Sequence, residues 1–142
     1  MAGNKGISGE VVTMMTVMAQ GVFDILHPGH LHYLEQSKSL GDELLVVIAR
    51  DSRIEKDLYF SELERKEMLE ALEIVDQALL GSEESIYDTV EKVDPDIITL
   101  GYDQPFDKEE VASMAREASN RKVEVKRIEK RSNYSSSDIR NH

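Results

Sequence analysis

Residues 20–30, Gln20-Gly21-Val22-Phe23-Asp24-Ile25-Leu26-His27-Pro28-Gly29-His30, decide how the rest of the chain is read. An apolar run, Val11 to Ala19, leads into this stretch, and an amphipathic segment leads out of it. That order reads as strand, tight loop, helix. Pro28 sits where the helix begins, and there its missing N–H is no loss. The loop and first helical turn are then expected to offer unpaired backbone N–H groups at the positive end of a helix dipole, a seat for phosphate. Gly21 lets the backbone approach a ligand with no Cβ in the way. His27 and His30 stand three residues apart, on one side of the turn. They can donate hydrogen bonds to phosphoryl oxygens and, if protonated, neutralise charge that builds up there. The combination suits phosphoryl or nucleotidyl transfer without a covalent intermediate. Plainer readings exist. Two histidines at a helix start are often only surface residues, and with His32 they could instead ligate zinc, although the chain has no cysteine or evident second-shell partner to support such a site. Asp24 reads as a loop acceptor for backbone N–H groups rather than a general base.

Outward from this stretch, apolar runs and punctuation repeat the same alternation. A helix is expected from Pro28 to Leu40, stopped by Gly41, with Leu31, Leu34 and Leu40 facing inward. Residues 44–49, Leu-Leu-Val-Val-Ile-Ala, have the unbroken apolar pattern of a strand covered on both faces. After a loop, Arg50 to Phe60, Ser61 and Glu64 form a capping box for a second helix with Leu63, Met68, Leu69 and Leu72 as its buried side. Further strands are expected at Val75–Leu80, Asp96–Leu100 and Val123–Ile128. The helices between them should run from about Glu84 to Lys92 and from Asp107 to about Asn120, and one of Ser135 to Ser137 should cap a short last helix. The predicted fold is α/β: a single Rossmann-like, doubly wound domain with a five-stranded parallel sheet, spanning 11–142 behind a mobile tail at 1–10. In such folds ligands bind outside the carboxyl ends of the strands, where strand order reverses. The loop at Gly21–His30 and the one at Gly101–Gln104 should therefore face the same ligand.

Composition narrows the function classes. A net charge of −11 argues against nonspecific binding to nucleic acid or an anionic membrane. With no run long enough to span a bilayer, no signal-peptide pattern and no cysteine, the expected location is the cytoplasm. Six Lys or Arg between 121 and 131 make a local basic stretch that leads toward the C-terminal serines.

The stretch GVFDILHPGH resembles the HxGH signature of the cytidylyltransferase-like nucleotidyltransferases, and the resemblance continues through LHYLEQSKSLGDELLVVIARD. Within that superfamily, DIITLGYDQ and the terminal YSSSDI are most similar to archaeal-type FAD synthases, which transfer the AMP moiety of ATP to FMN. The resemblance implies that Val22 and Phe23 hold nucleotide phosphates by backbone N–H, and that His27 and His30 contact the α- and β-phosphates. It also places Gly21, Pro28 and Gly29 in the nucleotide-binding loop. Asp103, Gly101 and Gln104 would line the nucleotide site, and Tyr134, Ser135 and Ser136 would close on the triphosphate. Arg65 would match the family's arginine near its third helix, and Lys56 the loop lysine that reaches toward phosphates; both count among the catalytic candidates. Mg²⁺ or another divalent cation, bound mainly through the nucleotide phosphates, and a homodimer are implied as well. Two alternatives stand beside this reading: a CTP-dependent cytidylyltransferase acting on a phosphorylated alcohol such as glycerol 3-phosphate, and a nucleotide-binding sensor without turnover.

Overall fold

The computed structural model describes residues 4–5, 11–12, 14–54 and 57–131. Two short strands, β1 (Asn4–Lys5) and β2 (Val11–Val12), pair antiparallel with each other. The main sheet has five parallel strands: β3 (Thr16–Gly21), β4 (Glu43–Ile48), β5 (Gln77–Leu80), β6 (Ile97–Leu100) and β7 (Glu124–Arg127), in the order β5-β4-β3-β6-β7. The helices are α1 (Pro28–Lys38), α2 (Glu62–Glu70), α3 (Ile86–Val93) and α4 (Lys108–Ser119). Helices cover both faces, the expected doubly wound architecture, so strand residues alternate between two cores. Val17, Ala19, Val46 and Ile48 pack with Leu34 of α1 and Leu69 of α2. Met18, Val47 and Ile98 pack with Val90 of α3 and Ala115 of α4.

The sheet departs from the sequence reading at its first strand, which was expected over Val11 to Ala19 and instead runs Thr16–Gly21. The reason lies at residue 15. The Met15 N–H donates to the Asp42 carboxylate at 2.7 Å, and its carbonyl accepts from the Asp42 and Glu43 N–H groups. These bonds set the register Thr16↔Glu43, and an apolar run cannot specify that partner. The buried side of α2 differs too. Leu63, expected inside, is 67% exposed, and the helix buries Arg65 beside the expected Leu69. The capping box of Ser61 with Glu64 and the Asp107 cap of α4 form as the sequence implies. The expected last helix falls outside the described residues.

A buried polar network fixes α1 over the sheet. The Tyr33 hydroxyl donates to the Thr99 carbonyl at 2.8 Å and accepts from the Gln20 N–H at 3.2 Å, joining α1 to β6 and β3. Ser37, one turn later, bonds the Thr99 hydroxyl at 2.8 Å. Burial pushes the Tyr33 hydroxyl above its usual pKa, although its bonds to Thr99 and Gln20 oppose the shift, so it remains a donor. Tyr33→Phe leaves a buried carbonyl and a buried N–H without this partner and should lower stability by about 1–3 kcal/mol. Urea denaturation measures the loss, and an unchanged midpoint would contradict the assignment.

Candidate active site

Strand order reverses between β3 and β6, so the loops that follow these two strands meet across one crevice. Gln104 spans it: its amide nitrogen donates to the Gln20 carbonyl at 3.0 Å, and its amide oxygen accepts from the Gly101 N–H at 2.9 Å. The two loops, far apart in sequence, are thereby brought together in the fold. Arg127, at the end of β7, donates to the carbonyls of Gly101 (2.9 Å), Gln104 (3.0 Å) and Phe106, and so clamps the loop that carries Asp103.

On the other side of the crevice α1 begins with a reciprocal cap made of the two histidines. His27 is the N-cap, and its Nδ1 accepts from the Gly29 N–H at 3.0 Å. His30 reaches back, its Nδ1 accepting from the His27 N–H at 3.3 Å. The His30 and Leu31 N–H groups bond the His27 carbonyl. The expectation of unpaired N–H groups in this turn is therefore corrected, because the imidazoles themselves satisfy the first ones. This arrangement also fixes a tautomer. A neutral imidazole that accepts at Nδ1 carries its proton on Nε2, so each ring keeps Nε2–H as its donor. The rings lie 3.8 Å apart between centroids. Glycine at position 29 is a steric requirement of this cap, since a Cβ there would come within 2.8 Å of His27 Cε1.

Phe23 supports His30 from below. Its ring is buried, meets the His30 ring edge-on at 5.4 Å between centroids, and stacks on Tyr33 at 6.5 Å. Its backbone is left-handed, with φ of 54°, a conformation that a bulky residue holds only when its surroundings enforce it. Asp24 does act as a loop acceptor, its carboxylate bonding the N–H groups of Tyr59 and Phe60 at about 3 Å.

Arg65 stands apart from its expected role. It is fully buried; Nη1 donates to the carbonyls of Val22 (2.8 Å) and Ala49 (2.9 Å), Nε to that of Phe60 (3.3 Å), and Nη2 to Asp51 Oδ1 (2.6 Å). A guanidinium used this way is a strut beneath two loops and is not positioned to meet phosphate. Lys56, Tyr134, Ser135 and Ser136 lie outside the described residues. The second loop does supply two cations that the sequence reading had not assigned to the site, Arg50 and Arg53, which line a cavity beside Gly21 and Val22. Nothing local to their sequence signals this, because the cavity wall is assembled from strands, helices and loops far apart along the chain.

The electrostatics favour a neutral ring at His30. Burial lowers the pKa of His30 below its ordinary value of 6.5, the neighbouring His27 lowers it further, and Asp103 and the Ile25 backbone oppose the shift. Protonation of Nδ1 would also remove an acceptor from the cap. Below about pH 6.5 the unfolded chain takes up a proton that the folded chain resists. This part of the stability is therefore complete above that pH, is lost as pH falls below it, and levels off once the folded pKa is passed. His30→Gln keeps a reaching-back acceptor at the third helical position. It is expected to flatten the decline in urea-denaturation midpoints between about pH 7 and about pH 5; an unaltered slope would contradict the argument.

Comparison with known proteins shows the family of the chain. A family model for cytidylyltransferase-like proteins matches residues 18–142. The FAD synthase of Picrophilus torridus is 50% identical over 131 residues, covering 89% of this chain and 94% of that protein. The FAD synthase of Aciduliprofundum boonei is 49% identical over 129 residues, covering 89% and 84%. Among solved structures, one described as a lipopolysaccharide core biosynthesis protein from Thermoplasma volcanium superposes with a TM-score of 0.80 at 50% identity, covering 84% of this chain and 99% of that one.

Proposed function

The chain belongs to the cytidylyltransferase-like family, and from that premise we propose that it transfers the AMP moiety of ATP to FMN, giving FAD and pyrophosphate. The observation that carries this reading is the pair of imidazoles whose Nδ1 atoms are committed to the helix cap, which leaves Nε2–H as each neutral ring's donor beside the start of α1. The relatives named FAD synthase, about half identical over most of their length, support FMN as acceptor and ATP as donor.

In this reaction a phosphate oxygen of FMN attacks the α-phosphorus of ATP in line. One P–O bond forms, the bond to the bridging oxygen breaks, and its electron pair leaves on pyrophosphate. No protein nucleophile is needed. His27 and His30 donate Nε2–H to the α- and β-phosphate oxygens as negative charge shifts toward the leaving group, and the α1 dipole adds to that field. The backbone of Gly21, Val22 and Phe23, with Pro28 and Gly29, forms the phosphate side of the site. Gly101, Asp103 and Gln104 form the opposite wall, and Asp103 bears electrostatically on His30. Lys56 and the Tyr134, Ser135 and Ser136 segment belong to the proposal as further phosphate contacts. Mg²⁺ would supply charge shielding on the triphosphate. Among the described residues no group of three or more His, Cys, Asp or Glu could cage a metal, so the fitting arrangement is a cation carried mainly by the nucleotide phosphates. A homodimer and a cytoplasmic location complete the reading, and no described helix is long and apolar enough to cross a membrane.

Pyrophosphate release tests it. Release is expected with ATP plus FMN and not with CTP plus glycerol 3-phosphate. The reverse result would make the chain a cytidylyltransferase, and ATP binding without release for any phosphorylated acceptor would make it a sensor.

A further inference from the structure

The six Lys or Arg of residues 121–131 do not act as one basic patch. Arg121 is held at the amino end of the sheet by Asp94, Asp96 and the Pro95 carbonyl. Lys126 pairs with Glu124 along β7. Arg127 differs from both: among the described residues it meets no carboxylate and gives its guanidinium to main-chain carbonyls alone. Nη1 donates to Gly101 at 2.9 Å and to Gln104 at 3.0 Å, and Nη2 donates to Phe106. These acceptors run the length of loop 101–106, which connects β6 to α4. The loop's main chain closes a turn of its own, from the Gln104 N–H to the Gly101 carbonyl at 3.2 Å. Beyond that, its shape depends on side chains: Arg127 from β7, and Gln104, which ties it to the Gln20 carbonyl of β3 at 3.0 Å. Lys130 Nζ also stands 5.9 Å from the centre of the exposed Tyr102 ring, a further link between the chain after β7 and this loop.

We propose that Arg127 is a positioning residue for the nucleotide: it holds loop 101–106, and with it Asp103, in place as the wall across the crevice from the histidines, and so sets the affinity for ATP without taking part in the transfer. The inference rests on the proposed function, in which Gly101 and Asp103 line the nucleotide site. A guanidinium suits the task because its planar fork reaches several carbonyls from one point, which an ammonium cannot do. Its charge strengthens each of those bonds. Both Nη1 hydrogens are taken by carbonyls, so that nitrogen braces the loop and is not offered to a ligand. The loop lies near enough to the other wall for Asp103 to raise the His30 pKa against the effect of burial, so a shift of the loop is felt across the crevice. The histidines need no such brace, because the reciprocal cap of α1 holds them from within their own turn. Loss of Arg127 should therefore loosen the ATP wall and leave the donors to the reacting phosphates where they are. A wall that binds ground state and transition state alike affects KM and not kcat.

Two variants of the full chain test this: Arg127→Met, which removes every donor, and Arg127→Lys, which keeps the charge but cannot span from Gly101 to Phe106. Each is assayed by pyrophosphate release at a temperature where urea denaturation shows it folded. Both should raise the KM for ATP about tenfold at saturating FMN, with kcat within about threefold of the unaltered chain. Chymotrypsin reads the loop directly. Cleavage after Tyr102 or Phe106, both exposed, should run about tenfold faster in either variant and be slowed by ATP. An unchanged KM in both variants overturns the inference. So does a KM restored by lysine, which would make Arg127 a charge for the triphosphate, and so does a fall in kcat at constant KM, which would place it in the transfer step. Should Arg127→Met not fold, Arg127→Lys decides alone: a raised KM with faster cleavage supports the brace, and an ordinary KM overturns it. An unaltered chain that releases no pyrophosphate with ATP and FMN would overturn the proposed function itself, a different outcome from an active enzyme whose variants keep their KM.

Discussion

His27→Asn is expected to lower turnover by about 10²–10³-fold, the effect of deleting one donor to developing transition-state charge. Stability should change by no more than about 0.5 kcal/mol. The two effects separate because His27 does two jobs with two nitrogens. Nδ1 caps α1 by accepting from the Gly29 N–H, and an asparagine oxygen serves equally well at an N-cap. Nε2–H is the donor that the cap leaves over, proposed here to meet phosphate, and asparagine is too short to replace it. His27→Ala removes both and would confound them. Turnover is read from pyrophosphate release at saturating ATP and FMN, and stability from urea denaturation. Turnover within about threefold of the unaltered chain, with the cap intact, would remove His27 from the chemistry.

Arg65→Ala is expected to destabilise the fold by about 3–5 kcal/mol, a large share of the 5–15 kcal/mol that holds a typical domain together. The guanidinium has no exposed surface and gathers Val22, Ala49, Phe60 and Asp51 from two loops. Without it, three carbonyls turn toward a hole and the loop after β3 loses its support. Arg65→Lys keeps the charge but cannot reach four acceptors in a plane, so it should recover only part of the loss. Thermal or urea unfolding measures both variants. A stable Arg65→Ala protein whose KM for ATP alone rises would restore Arg65 to the phosphate site.

The elements of the sheet were legible wherever their signal was local. The 44–49 run gave β4, Ser61 with Glu64 gave the start of α2, and Asp107 gave that of α4, because caps and two-face burial are written within a few residues. The start of β3 was not legible, since it depends on Asp42 meeting Met15 across 27 positions. Arg65 and Leu63 were exchanged for the same kind of reason. Helical spacing put Leu63 inside and the resemblance put Arg65 among the catalytic candidates, yet carbonyls converging from elsewhere gave the arginine a buried place. The left-handed Phe23 has no sequence signature at all, being enforced by the packing of its ring between His30 and Tyr33.

By itself, then, the sequence determined the alternating α/β order, the placement of both histidines at a helix start, and the pairing of the first and fourth strand loops, because each follows from neighbours along the chain and a fixed rule of sheet topology. Only the tertiary structure decided which imidazole nitrogen is left to donate, which cations border the crevice, and that Arg127 holds the loop after β6. Those outcomes are set by groups far apart in sequence that meet at a few ångströms, and no periodicity along the chain records such a meeting.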